Sequence, residues 1–344
     1  MVKRITAIAL IFACASAAWA ILGATIFSRT YATDQNLEHR VVSLWGAPHS
    51  QSPPVATYEQ LVPKTVETIV DGKLKKTIEQ EKVTTALPIE SSRVAVALDL
   101  EHRQKGLLWY STYKVAFAGS YTFRNTTPSD KVTFTLNFPT SQAVYDDLTF
   151  TVDGAPLDLS GTQDRAQSQT RGEARIAPGQ TATLKVAYRS QGLSEWRYNF
   201  GGDVAQVRDF QLRMTTNFKD IDFPENTLSP SAKEETAGGG WRLDWNYQNL
   251  VSGFQIGMAM PEKLQPGPLA GRISLFAPVS LFFFFFLMFI ITTMRGIELH
   301  PMNYFFLAAA FFSFHLLLAY LVDHVSIHVA FAAASAVSIF LVIS

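Results

Sequence analysis

Hydrophobic and polar positions follow two different rhythms along this chain, and the change of rhythm divides it into three segments. Residues 5–27 contain no charged side chain. As a helix those 23 positions would extend about 34 Å, enough to cross a hydrocarbon core of roughly 30 Å. At the other end, residues 273–344 hold only Arg295, Glu298 and Asp323 as charged groups. They predict a transmembrane block with helices at about 273–294, 301–322 and 326–344. Pro301 sits where a helix start tolerates it, and Pro278 is expected in the first turns of its helix.

Between these blocks the period changes to two. Val132, Phe134, Leu136 and Phe138 alternate with Thr133, Thr135 and Asn137. The same alternation runs through Ala182, Leu184, Val186 and Tyr188, through Phe210, Leu212 and Met214, and through Trp241, Leu243, Trp245 and Tyr247. It recurs in Phe254, Ile256, Met258 and Met260. A side chain that switches face at every residue marks a half-buried strand. Turn chemistry falls between the runs at Asp71-Gly72, Asp153-Gly154 and Ala177-Pro178-Gly179-Gln180. Residues 65–80 read as a hairpin turning at Asp71-Gly72. The fold class expected for residues 28–272 is therefore an antiparallel β-sandwich-like domain, and for the whole chain a mixed membrane protein. Gln265-Pro266-Gly267-Pro268 reads as an extended, stiff connector to the second membrane block.

Charge adds orientation. Lysine plus arginine and aspartate plus glutamate number 29 each. A neutral balance gives no basic excess to meet phosphates, so no nucleic-acid partner is expected. Only Lys3, Arg4 and Arg295 among the bases, and Glu298 and Asp323 among the acids, lie outside residues 28–272. That middle segment has an ordinary soluble surface. Lys3 and Arg4 before the first apolar run, and Arg295 between two later ones, favour a cytoplasmic N-terminus and an extracytoplasmic domain. A cleaved signal peptide competes at Ala18-Trp19-Ala20. The apolar run continues through Ile21, Leu22, Ile26 and Phe27 and favours a retained anchor at residues 1–27. The one cysteine, Cys14, excludes an internal disulfide framework. A lipid-modified Cys14 is disfavoured by bulky Phe12. The chain ends only 16 positions after residue 328 with no basic residue to anchor the last helix, so further membrane helices are expected after Ser344.

Candidate chemistry is sparse. Asp323, His324 and His328 are close in sequence, and the two histidines would be one turn apart on a helix. They form a weak metal or proton-handling candidate, because zinc wants further ligands. A plain polar turn is the stronger reading. His315 lies inside an apolar run, and Tyr304, eleven positions earlier, would point the same way. The two are the candidate intramembrane polar site, with a hydrogen-bonded neutral histidine weighed evenly against a proton relay. Trp109, Tyr110, Tyr113, Phe117, Tyr121 and Phe123 could form a ligand platform, but strand-rich cores use aromatics in the same way. Ala237-Gly238-Gly239-Gly240 lacks the flanking residues of a phosphate loop. No catalytic motif and no cofactor site stand out.

Several short motifs occur in a telling order. They are Leu44-Trp45-Gly46-Ala47-Pro48, Ala86-Leu87-Pro88, Arg103-Gln104-Lys105-Gly106-Leu107, and the run from Tyr113 through Lys114-Val115-Ala116-Phe117-Ala118-Gly119-Ser120 to Tyr121. Then come Asp222-Phe223-Pro224-Glu225-Asn226-Thr227-Leu228-Ser229-Pro230 and Leu299-His300-Pro301-Met302-Asn303-Tyr304. In these the chain resembles the CreD family of bacterial inner-membrane proteins, over most of residues 40–330. The resemblance implies a cell inner membrane location, a periplasmic domain, and a part in envelope integrity and the stress response. It carries over no catalytic residue. The expected partners are the lipid bilayer and other envelope proteins met through the periplasmic domain. The expected role is a non-enzymatic sensor or scaffold. The alternatives are a transport or proton-coupled component using His315 and the Asp323, His324 and His328 group, and a membrane enzyme.

Overall fold

The computed structural model describes residues 2–70, 73–105, 108–157, 168–201, 205–322 and 324–343. It leaves the side chains of residues 2, 32–36, 38–39, 66–70, 73–77 and 205 undescribed. The Asp71-Gly72 turn, the Gly106-Leu107 end of one motif, and Asp323 therefore lie outside the described residues. The chain opens with helix α1 (Val2–Trp45). Strands follow as β1 (His49–Gln51), β2 (Val55–Val70), β3 (Lys73–Leu87), β4 (Ile89–Lys105), β5 (Leu108–Arg124), β6 (Lys131–Asn137), β7 (Asp146–Val152) and β8 (Ala155–Pro156). Then come β9 (Gln169–Arg175), β10 (Thr181–Leu193), β11 (Glu195–Tyr198), β12 (Ala205–Thr216), β13 (Ala232–Glu235), β14 (Trp241–Ser252) and β15 (Ile256–Ala259). Helices α2 (Pro266–Met294), α3 (Pro301–Leu321) and α4 (Ile327–Ile343) close the chain. Two compact units result, one of residues 1–40, 104–109 and 263–344, the other of 41–103 and 110–262.

The first unit is helical. Among the described residues three helices are long and apolar enough to cross a membrane: Lys3–Tyr31 within α1, Pro266–Met294 and Pro301–Leu321. α4 is a shorter apolar helix. Ile8, Ile11, Phe12 and Ala15 of α1 pack against a buried cluster of Trp19, Ala277, Leu281, Phe285, Tyr304 and Ala308. A second cluster joins Ala270, Leu318, Val322, Ala330 and Ala334. Large side chains on the other faces stay exposed, Phe283 at 63% among them. In a bundle whose solvent is lipid, that inversion is expected.

Two helix boundaries correct the sequence expectation. α1 continues to Trp45 rather than stopping near residue 27. Its polar second half contains no proline or glycine before Gly46, so nothing breaks the backbone ladder. α2 begins at Pro266, seven residues before the expected start, and the connector is not extended. Pro266 and Pro268 fall in the first turn, where a missing N–H costs nothing. Pro278 is consequently interior to the helix and not in its opening turns. There it removes the N–H that would have met the carbonyl of Ser274. α3 starts as expected: His300 is its N-cap, its ring nitrogen accepts from the Met302 N–H, and Pro301 follows.

The second unit is built of strands. An eight-stranded sheet runs β13-β14-β12-β4-β5-β10-β7-β8, with a four-stranded sheet β3-β2-β6-β9 and a three-stranded one β1-β11-β15. Most pairs are antiparallel. β12 with β4 and β1 with β11 are parallel, a departure that an alternation pattern cannot reveal, because burial alternates identically in both. One core unites the three sheets. Val132, Phe134, Leu136, Leu184, Leu243, Trp245, Ile256 and Met258 have no exposed surface. Each such large side chain contributes about 1.5–3 kcal/mol by leaving water. Phe254 breaks its expected pattern and lies 52% exposed. β15 begins only at Ile256, and Phe254 belongs to a turn whose N–H is held by Ser252 Oγ.

Two glycines are required by close approach. Gly46 ends α1 with φ +91°, and a Cβ there would lie 2.2 Å from the Gln191 carbonyl oxygen. Gly240 opens β14, and a Cβ would lie 1.7 Å from the Thr216 carbonyl oxygen. Its neighbours support a tight turn, with Thr236 N–H donating to the Gly240 carbonyl. The glycine run is thus a strand junction, as its lack of phosphate-loop flanks implies.

Candidate functional site

The helical unit holds two of the sequence candidates side by side in orientation but not in space. Tyr304 and His315 are both buried within the bundle, at 1% and 2% exposure. Eleven residues at 1.5 Å each set them roughly 16 Å apart along α3, so they are not one constellation. The Tyr304 hydroxyl packs beside Phe285 and has no hydrogen-bond partner among the described residues. His315 Nδ1 meets the Phe311 carbonyl at 3.0 Å. A carbonyl only accepts, so this nitrogen donates. The His315 ring lies edge-on to Trp19, Phe311 and Phe314. It borders a cavity of about 640 Å³ that also takes in Arg272, Ser280, Ser335 and Ser338. His324 precedes α4 and His328 is its second residue. The expected one-turn spacing on a single helix is therefore absent, and both side chains are exposed. Among the described residues no three His, Cys, Asp or Glu side chains come together as a metal cluster.

The aromatic run along β5 divides between the core and the start of the strand. Tyr113, Phe117, Tyr121 and Phe123 are buried on the inner face of β5 and belong to the core. Trp109 and Tyr110 are half-buried at its start. Trp109 is held from both sides of its backbone. The Gln265 side chain accepts from its N–H at 3.1 Å and donates to its carbonyl at 2.7 Å. Lys263 Nζ lies 4.0 Å over its indole ring. The core reading of this run, not the ligand platform, is the one its burial supports.

A polar cluster that sequence reasoning missed sits inside the core. His49 is 1% exposed, with its ring edge-on to Tyr113 and stacked on Tyr145. Neither ring nitrogen has a hydrogen-bond partner of good geometry. Burial lowers its pKa to about 4, and the nearby Gln191 backbone only partly offsets that. Fully buried Gln51 accepts from the Tyr188 hydroxyl at 2.6 Å and donates to the Ser52 and Asn137 carbonyls. Tyr113 donates to the Glu195 carbonyl at 2.7 Å. Burial raises the pKa of Tyr145 to about 12 and that of Tyr113 further. The cluster holds neutral groups inside the core. The sequence signal for it is only a two-residue alternation, His49 and Gln51, too short to read as a strand.

The motif around Pro224 is structural. The Ala259 N–H donates to the Asp222 carbonyl, and the Leu228 N–H to the Gln255 carbonyl. Trp245 Nε1 donates to the Leu228 carbonyl at 2.9 Å. Asn226 takes a left-handed conformation, φ +60°, which asparagine tolerates.

The outward face of the eight-stranded sheet is unusual in its small side chains. Ala95 and Ala97 of β4, Ala116 and Ala118 of β5, and Ala187 of β10 all point away from the core. Charged residues surround them, most already paired: Lys114 with Glu101, Arg93 with Asp209, Arg213 with Asp244. The face forms two hollows, of about 770 Å³ near Asp99, Ala116 and Arg189 and about 600 Å³ near Ala95, Ala118 and Lys185.

No curated protein matches the chain. A crystal structure of a candidate nutrient-binding protein from Legionella pneumophila is similar at 10% identity, with a TM-score of 0.35, covering 62% of this chain and 71% of that one. The profile of the family described as inner membrane protein CreD matches residues 1–344, the whole chain. With three membrane-length apolar helices and a sheet-rich domain between them, the chain belongs to the CreD family of inner membrane proteins.

Proposed function

We propose that this inner-membrane protein acts without catalysis, as a periplasmic sensor or scaffold for other envelope components. The observation that carries the reading is the outward face of the large sheet. It is broad, shallow and lined with alanines, and its charges are largely satisfied by each other. A small substrate is usually enclosed by converging polar groups; a wide face of small side chains offers area instead. The test is a photo-crosslinking residue at Ala118 in the full chain in living cells, with a second at Val251, exposed but off this face. A discrete protein adduct from position 118 and none from 251 supports a partner on this face. Equal or absent adducts at both count against it. The same reading places residues 28–272 in the periplasm. A reporter fused after Leu264 should then register the periplasm, and one after Gly296 the cytoplasm.

A second reading, transport or proton coupling, draws on His315 and its cavity. His315→Ala should abolish such an activity while the protein still inserts, and full activity in that variant removes the reading.

A further inference from the structure

Arg4, near the start of α1, and the turn between α2 and α3 line one cavity of about 570 Å³ in the helical unit. Arg4 is half-buried, and its Nε and Nη2 are buried with no hydrogen-bond partner among the described residues. A guanidinium cannot shed its proton to escape the cost of burial. Buried donors on a fixed positive charge therefore call for an anion. The cavity wall does not supply it. Glu298, its acidic residue, is exposed and bonds neither of those nitrogens. Thr292 and Thr293 turn their hydroxyl protons to the Met288 and Phe289 carbonyls. His300 holds the Met302 N–H on Nδ1 and the Asn303 N–H on its carbonyl, so these two amides of α3 are already engaged. With Nδ1 accepting, a neutral His300 ring carries its proton on Nε2 and can donate a second bond.

The cavity adjoins an apolar groove between α1 and α2, and Phe289 borders both. Ile5, Ile8 and Phe12 line it from α1, and Phe282, Phe285 and Phe286 from α2, around about 270 Å³. Ile5 to Phe12 covers roughly 10 Å along the helix axis. A soluble phosphate has no group to lay in such a groove, whereas a phospholipid has an acyl chain. The order of charge then selects the headgroup. Positive Arg4 is half-buried next to the groove, and negative Glu298 is exposed beyond the end of α2. A phosphodiester close to an acyl chain, followed farther out by an ammonium, is the order of phosphatidylethanolamine. A glycerol headgroup brings no cation to Glu298, and a choline brings one with no N–H to donate.

We propose that this cavity and groove form a site for one phosphatidylethanolamine, its phosphate on Arg4 and His300, its ammonium at Glu298 and an acyl chain between α1 and α2. The inference needs α1 and α2 to lie in a bilayer and is independent of what the alanine-lined face binds. Native mass spectrometry tests it on the delipidated full chain in detergent, titrated with phosphatidylethanolamine, phosphatidylcholine and phosphatidylglycerol of identical acyl chains. The first copy of phosphatidylethanolamine should bind about threefold tighter than either of the others. Arg4→Ala should weaken all three about tenfold or more. Lys3→Ala removes the same charge from an exposed position that does not line the cavity and should leave binding unchanged. Glu298→Gln should keep the binding and erase the headgroup preference. Glycerophosphoethanolamine, which has no acyl chains, should displace the lipid only at about hundredfold higher concentration. Unchanged affinity in Arg4→Ala, an equal loss in Lys3→Ala, no headgroup preference in the parent, or displacement by the soluble headgroup at the lipid's own concentration would each overturn the proposal. If Arg4→Ala does not insert, Glu298→Gln decides alone, and a headgroup preference that survives in that variant overturns it.

Discussion

Replacing His49 with phenylalanine should make the protein markedly less sensitive to acid. The imidazole is sealed in the core, beside phenols that burial keeps neutral, and its pKa falls to about 4. In the unfolded chain a histidine titrates near 6.5. Above that value the group is neutral in both states and contributes nothing to pH dependence. Below it the unfolded chain takes up a proton that the folded protein refuses until about pH 4. Stability is therefore lost as pH falls from 6.5 to 4, by about 1.4 kcal/mol per pH unit and about 3 kcal/mol in all. For a domain of this size that is a lowering of roughly 6–12 °C in Tm. The His49→Phe variant keeps a ring against Tyr113 and Tyr145 and removes two unpartnered nitrogens, so at pH 7.5 it should be no less stable. Thermal unfolding of the full chain in detergent, followed by tryptophan fluorescence from pH 7.5 to 4, gives the comparison. Carboxylates titrate alike in both proteins and cancel in the difference. A Tm difference between the two that stays constant from pH 7.5 to 4 would refute the reasoning.

Other substitutions probe single contacts. Gly46→Ala forces a Cβ against the Gln191 carbonyl at a positive φ and should cost about 3 kcal/mol or prevent folding, read as loss of membrane-inserted, protease-resistant protein. Gln265→Ala leaves the Trp109 N–H and carbonyl without their partners. It should cost about 1–2 kcal/mol and redshift tryptophan emission, and an unchanged spectrum and Tm would count against the clamp. Trp245→Phe keeps the core ring but strands the Leu228 carbonyl; a loss of about 1–2 kcal/mol is expected by thermal unfolding.

Much of this architecture was legible because burial writes itself into the sequence as period. Leu184 and Val186 could be placed on an inner face without coordinates, since any strand buried on one side must alternate. The membrane helices were legible for the same reason, read as absence of charge. Their ends were not. Nothing local distinguishes the two prolines of an extended connector from two prolines in a helix's first turn, where α2 places them. The parallel pairing of β4 with β12 was hidden too, because partner choice depends on residues far apart in sequence. Tyr304 and His315 share a face as helical geometry requires, while their separation follows from the same rise per residue that aligned them. His49 escaped notice because a single buried histidine leaves no pattern at all.

That parallel pairing has a consequence for how the protein is made. Ser92 sits beside Phe210, and Leu98 beside Thr216, so the middle of the largest sheet stays open until the chain has been synthesised well past its midpoint. Until then one side of β4 is an unpaired template, hydrophobic on its inner face and able to capture a wrong strand. Such non-local closure is slow. The window between synthesis of β4 and arrival of β12 is therefore the stage of folding at which this sheet is most open to mispairing.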